Sequence, residues 1–313
     1  MAVFKSMQVL VITLVSCCVR GCAAGRPLSD TNAFTPFQYS KFQKNFFVAW
    51  SESNVAAVDG GHTLQLSLNR KSGTAVSSTN KYLYGYFRAS IKLVSGNSAG
   101  TVTAFYLSSQ GHNHDEVDFE FLGNVTGEPY VLQTNIYANG IGNREQRIFL
   151  WFDPRLKFHT YSVIWNHKSV SMYVDNVLVR VFQNNEVHGQ PYLTKQPMGV
   201  YSSIFDASQW ATRGGLVKID FVNAPFLAHY TNFTLDACAI DETFAILHTE
   251  TPCATPTSTN WWNAEWFRSV PASRLGQMHW VYKNFLIYDY CTDRERYPIV
   301  PFECTAPLLA YEN

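Results

Sequence analysis

The sequence predicts an all-β fold, a sandwich of two antiparallel sheets followed by a short disulfide-stapled C-terminal extension that contains a helix. Three observations predict it. From about His62 to Asp236, apolar and polar residues alternate in short runs rich in Val, Ile, Tyr, Phe and Thr, broken by Gly, Asn, Asp and Pro. These runs amount to roughly a dozen strands, more than one open sheet holds without curling or splitting. After Cys238 the alternation fades, and cysteines at 238, 253, 291 and 304 crowd into the last quarter of the chain.

The elements follow in order. Lys5, an apolar run from Met7 to Cys18, and small residues Gly21, Ala23 and Ala24 ahead of Gly25 predict a signal peptide over 1–24. The run is too short to span a bilayer. Its removal takes Cys17, Cys18 and Cys22 with it, leaving four of the seven cysteines. A sandwich domain is expected over 25–236. Its clearest strands are His62–Leu68, Tyr82–Phe87, Thr101–Tyr106, His114–Leu122, Tyr130–Ile136, Tyr161–Trp165 and Val170–Val174. Asp175 and Asn176 then predict a hairpin turn into Val177–Phe182. In the extension, 237–313, Leu275, Met278, Tyr282 and Phe285 recur at helical spacing, as a helix packed on the sandwich requires. Pairing Cys238 with Cys253 and Cys291 with Cys304 closes the shortest loops, although four cysteines permit three connectivities. The spacings are too wide for the Cys-x-x-Cys knuckles of a zinc site, and no metal is expected.

Charge and composition narrow the function. Lys plus Arg equals Asp plus Glu at 24 each, so no net field favours nucleic acid or an anionic membrane, and neither is an expected partner. With 22 Phe, 17 Tyr and 8 Trp, the chain has aromatics enough to fill a β-rich core and to line a groove for flat, weakly polar ligands such as sugar rings. Asn124-Val-Thr and Asn232-Phe-Thr fit the N-glycosylation pattern, which has meaning only in a secreted chain.

One strand carries the chemistry. In Glu116-Val-Asp118-Phe-Glu120-Phe121 acids and apolar residues alternate strictly, so all three carboxylates face one way and Val117, Phe119 and Phe121 the other. Three like charges on one strand face repel one another and push a pKa upward, a cost that points to a purpose. Four residues of strand place the Glu116 and Glu120 α-carbons roughly 13 Å apart. Side chains leaning together bring the carboxyl groups to about 5 Å, near the separation of a retaining glycosidase pair. A solvated acidic face and a calcium site are the alternatives that this spacing alone leaves open.

These residues match a known family. His114-Asp-Glu-Val-Asp-Phe-Glu-Phe-Leu-Gly-Asn124 resembles the signature of plant xyloglucan endotransglucosylase/hydrolases, in glycoside hydrolase family 16. The resemblance continues in Gly96–Ser109, Arg144–Arg147, Leu150–Pro154, Gln196–Met198, Trp210–Gly215, Ala224–Phe226, Tyr290–Asp293, Arg296–Pro298 and Glu303-Cys304. It implies a β-jelly-roll sandwich with a long open cleft, an extension held by two disulfides, and no metal or organic cofactor. It implies cleavage of β-1,4-glucan backbones with retention, and transfer to a second glucan chain or to water, during cell-wall construction. Glu116 would be the nucleophile, Glu120 the acid/base and Asp118 the helper. Acceptor-side contacts would come from Gln133, Asn135, Arg147, Trp210, Tyr288 and Arg296. The setting it implies is extracellular, in the cell wall and apoplast, where the chain acts as a monomer on donor and acceptor β-glucan.

The chain departs from the family's pattern at places that bear on substrate. Ala75-Val-Ser-Ser-Thr79 stands where the family usually has Gly-Phe-Gln-Ser-Lys, on the donor side, and Phe205 and Phe221 replace usual tryptophans on the acceptor side. An altered donor preference is the expectation, toward less decorated glucan such as cellulose or mixed-linkage glucan.

Overall fold

The computed structural model describes residues 42–240, 252–255, 257–264, 267 and 269–306. The signal-peptide segment lies outside them.

A short helix α1 (Phe42–Asn45) leads into fifteen strands among the described residues. They are β1 (Phe46–Trp50), β2 (Val55–Val58), β3 (Thr63–Leu68), β4 (Thr74–Ser78), β5 (Lys81–Lys92), β6 (Thr101–Ser108), β7 (Glu116–Leu122) and β8 (Val131–Tyr137). The rest are β9 (Gln146–Phe149), β10 (His159–Trp165), β11 (Ser169–Val174), β12 (Val177–Gln183), β13 (Gly199–Asp206), β14 (Phe226–Ile240) and β15 (Leu286–Asp289), with helix α2 (Ala272–Phe285) before the last. Eight strands form one sheet in the order β1-β4-β13-β6-β7-β8-β9-β15, and seven form the other in the order β12-β11-β10-β5-β14-β3-β2. All the described pairings are antiparallel, giving a β-jelly-roll sandwich.

The inward face of each strand supplies the core. Phe87, Phe105, Phe119, Phe121, Tyr161, Trp165, Tyr230 and Phe233 are fully buried, each aromatic contributing about 2–3 kcal/mol by leaving water. Tyr161 of one sheet meets Phe119 and Phe121 of the other edge-on, at 5.8 and 4.6 Å between centroids. The β11–β12 hairpin turns on Asp175 and Asn176, both left-handed with φ of 46° and 64°, as a two-residue hairpin turn demands. Gly123 ends β7 where a Cβ would collide with the Ser98 carbonyl, so the chain after the acidic strand tolerates no side chain.

Three details differ from the sequence reading. The acidic strand begins at Glu116, leaving His114 and Asp115 in the preceding loop. Strand β14 runs on to Ile240, past the expected end of the sandwich. The extension contributes more than a helix: β15 pairs with β9 and becomes the edge of the eight-stranded sheet. Helix α2 covers the expected stripe, with Met278 and Val281 buried against the sandwich. Disulfides Cys238–Cys253 and Cys291–Cys304 hold the segments on either side of it. No helix among the described residues is long and apolar enough to cross a membrane.

Candidate active site

The outer face of the eight-stranded sheet carries a cleft of about 600 Å³, and Glu116, Asp118 and Glu120 of β7 lie in its lining. Their alternates Val117, Phe119 and Phe121 are wholly buried on the other side of the strand. Antiparallel register sets the neighbours. Glu116 stands between Ser108 and Tyr137, Asp118 between Tyr106 and Asn135, and Glu120 between Ala104 and Gln133.

Each carboxyl meets different surroundings. Burial pushes Glu120 up to about 7, the nearby Glu116 charge adds to the rise, and a hydrogen bond from Gln133 opposes it. Gln133 Nε2 donates to Glu120 Oε2 at 2.7 Å, and its Oε1 accepts from Arg147 Nε at 2.6 Å. A carboxylate on one side and a guanidinium on the other fix which way this amide points. Asp118 is raised well above the usual carboxylate range by burial and by the charges of Glu116 and Glu120, against the pull of Arg180. Glu116 is also raised by burial, but Ser108, His114 and a hydrogen bond from Asp118 all favour its charged form. A protonated Asp118 bonded to Glu116 therefore leaves Glu116 the most readily ionised of the three.

The loop before the strand serves it as well. His114 Nδ1 donates to the Gly111 carbonyl at 2.8 Å, and its ring stacks on Tyr137, leaving Nε2 3.8 Å from Glu116 Oε1. Asp115 points the other way, is buried, rises to about 6 through that burial, and accepts from the Asn139 N–H at 2.7 Å.

Of the acceptor-side residues named from sequence, Gln133, Asn135, Arg147 and Trp210 line the cleft. Tyr288 and Arg296 lie outside its lining, Tyr288 beside Arg147 in register. The Arg147 guanidinium lies 5.2 Å from the Tyr288 ring centroid, and the Tyr288 hydroxyl donates to Asp293 at 2.9 Å. Arg296 binds Glu145 at 2.8 Å, and Glu145 itself faces the cleft. A chain of contacts thus runs from Glu120 through Gln133 and Arg147 into the C-terminal extension. Asn124 lines a second cavity of about 290 Å³, which shares Arg147 with the cleft, and exposed Asn232 sits at an irregularity in β14.

The departures fall in different places. Ala75 pairs with Trp50 and Ser203, which line the cleft, so Ala75 and Ser77 lie on the outer side of the sheet, both buried and outside the cleft's lining. Val76 points into the core, so the aromatic missing there is a change in packing and not in sugar contact. Phe205 lines the cleft, whereas Phe221 packs on Phe226 beneath Arg70, outside that lining. Sequence reasoning missed Trp50, Tyr106, Tyr137 and Glu145 in the cleft. Strand period was a usable signal for Tyr106, an alternate residue of a recognised strand, and Glu145 lies in the matched Arg144–Arg147 segment, but nothing local marks Trp50.

Comparison with known proteins agrees with this geometry. Residues 42–223 match the model of glycosyl hydrolases family 16, and residues 256–304 match the xyloglucan endo-transglycosylase C-terminus. A probable xyloglucan endotransglucosylase/hydrolase protein of Nicotiana tabacum is 47% identical over 264 residues, 84% of this chain and 88% of that protein. Xyloglucan endotransglucosylase/hydrolase protein 9 of Arabidopsis thaliana is 44% identical over 97% of both chains. Among solved structures, the β-glucanase of Bacillus licheniformis superposes with a TM-score of 0.51 at 24% identity, over 65% of this chain and 97% of its own, a likeness of fold. With the sandwich, the acidic strand and the extension each matched, the chain belongs to the xyloglucan endotransglucosylase/hydrolases of glycosyl hydrolases family 16.

Proposed function

We propose that the protein is a secreted retaining enzyme that cleaves the β-1,4-glucan backbone of xyloglucan or a related polymer and transfers the fragment to another glucan chain or to water. The observation that carries this reading is the division of labour among three carboxyls on one strand. Glu116, the most readily ionised, attacks the anomeric carbon as the glycosidic C–O bond breaks. Glu120, still protonated below about pH 7, gives its proton to the departing oxygen. Asp118 keeps the shared proton on itself and so keeps Glu116 charged. In the second half Glu120 takes a proton from an acceptor hydroxyl or a water, whose oxygen displaces Glu116 from the anomeric carbon. Gln133, Asn135, Arg147 and Trp210 would seat the acceptor, with Tyr288 and Arg296 holding Arg147 and Glu145 in place.

The apolar N-terminal run, the two disulfides and the sequons at Asn124 and Asn232 support a secreted, glycosylated chain acting in the cell wall and apoplast. An altered donor preference is favoured by Ala75 and Ser77, two small residues on the outer side of the sheet next to Trp50 and Tyr201. Ala75 adds a methyl group where the family's glycine allows close approach to the backbone, and Ser77 removes an amide there. The test is size analysis of products from xyloglucan, cellulose and mixed-linkage donors, each with and without a labelled oligosaccharide acceptor. Labelled polymer from more than one donor, absent with Glu116→Ala, is expected. Transfer from xyloglucan alone would remove the donor reading. A wild type that binds glucan without turnover would remove the enzyme reading.

A further inference from the structure

Arg180 lies on β12, in the sheet that carries none of the cleft, and is only 2% exposed. Its guanidinium crosses the interior to the back of the catalytic sheet. Nη1 donates to the Thr134 carbonyl and hydroxyl, both at 2.9 Å, and Nη2 donates to the Arg144 carbonyl at 2.6 Å. All three acceptors are neutral. Glu303, the carboxylate placed to pair with it, is taken by Arg144 Nε at 2.7 Å, and Asp289 accepts from the Cys291 N–H. Among the described residues no carboxylate forms an ion pair with Arg180. The guanidinium also lies 5.8 Å from the Tyr290 ring centroid, but a buried cation with no anion in contact is expensive unless negative charge stands close behind its first neighbours.

Asp289 and Glu303 line a cavity with Arg180 on one side, and the acidic strand stands on the other. Thr134 pairs across β7–β8 with Phe119, the residue between Asp118 and Glu120. Gln133 and Asn135 on either side of Thr134 face the cleft, so Thr134 and the guanidinium lie on the opposite face. The sheet therefore holds three carboxyls on its outer face and one unpaired guanidinium on its inner face, with low-dielectric backbone between, where charges act at longer range than in water.

We propose that Arg180 is a positioning residue for catalysis, a fixed counter-charge on the inner side of the catalytic sheet that keeps the Asp118–Glu116 pair from taking up a second proton. This rests on the roles proposed above for the carboxyls. The other groups facing the acids are Tyr106 on β6, Tyr137 on β8, Arg147 on β9, and the loop residues His114 and Glu145. Around Arg180 itself are Tyr282 on α2, Asp289 on β15, Tyr290, and the Arg144–Glu303 pair, whose charges offset each other. Arg147 acts on Glu120, leaving Arg180 as the cation that acts on Asp118. Removing it favours a second proton on the Asp118–Glu116 pair, and the nucleophile is then lost at higher pH.

The test is kcat/KM against pH for the wild type, Arg180→Met, Thr134→Asp and Thr134→Val, with folding checked by circular dichroism. Arg180→Met should move the acid limb up by about half a unit to one unit, a three- to tenfold loss below that limb, and move the alkaline limb less. Thr134→Asp keeps the arginine but cancels its charge in place, and should move the limb the same way. Thr134→Val removes a hydrogen bond without touching charge, so its melting temperature should fall while the limb stays. A limb at the wild-type position in folded Arg180→Met or Thr134→Asp would overturn the inference, as would an equal shift in Thr134→Val. Failure of the underlying reading looks different, since Glu116→Ala would then retain turnover.

Discussion

Glu120 owes its proton to depth and its orientation to Gln133. Burial holds the carboxyl near 7 in spite of the amide donor at one oxygen, and Gln133 leaves the other oxygen for the leaving group. Turnover should accordingly fall as pH rises through about 7, where the acid form is lost. Glu120→Gln keeps the shape and cannot titrate. Its kcat/KM should drop by about 10²–10⁴-fold, and the residual rate should lack the alkaline limb. A pH–rate profile of both proteins checks this. The three acids were legible in the sequence because alternation puts them on one face at a visible cost in repulsion. Their separate proton affinities were not, because these depend on Ser108, Gln133 and Arg180, which reach the acids from other strands.

Strands β8, β9 and β15 form the end of the sheet where the proposed acceptor contacts lie, and the last of them belongs to the extension. In register Gln133 stands beside Arg147 and Arg147 beside Tyr288, so one row of side chains crosses three strands. Tyr288→Leu removes the ring next to the Arg147 guanidinium, an interaction of about 0.5–1 kcal/mol at a partly exposed site. The KM for an oligosaccharide acceptor should rise about two- to fivefold with the KM for donor polymer unchanged, measured by initial rates with each varied in turn. The long strands and the β11–β12 hairpin could be read from period and turn residues. Strand β15 could not: four half-exposed residues carry too short an alternation, and what makes them a strand is the open edge of β9. Strand β1 escaped for the same reason, as an edge whose Phe47 and Trp50 face solvent or cleft.

At the scale of the whole molecule, the acidic strand makes stability depend on pH in an unusual direction. Asp153 and Asp293 are held low by their partners, but Asp115, Glu116, Asp118 and Glu120 are all raised. The folded state then binds more protons than the unfolded chain, so stability falls as pH rises. For Glu120 the window runs from its ordinary 4.5 to about 7. Melting temperature should be higher near pH 5 than near pH 7.5, by on the order of a few degrees. Asp118→Asn and Glu120→Gln should each flatten that slope, as scanning calorimetry across the range would register. An active-site charge cluster is thus a strain carried by the entire sandwich, eased in acid surroundings. Strand β15 extends this dependence into time. Its residues leave the ribosome after the rest of the catalytic sheet, so a growing chain can assemble the sandwich and all three carboxyls before the support beside Arg147 exists. If the acceptor sits where proposed, competence to use it comes last in biosynthesis, when the final strand docks and Cys291 finds Cys304.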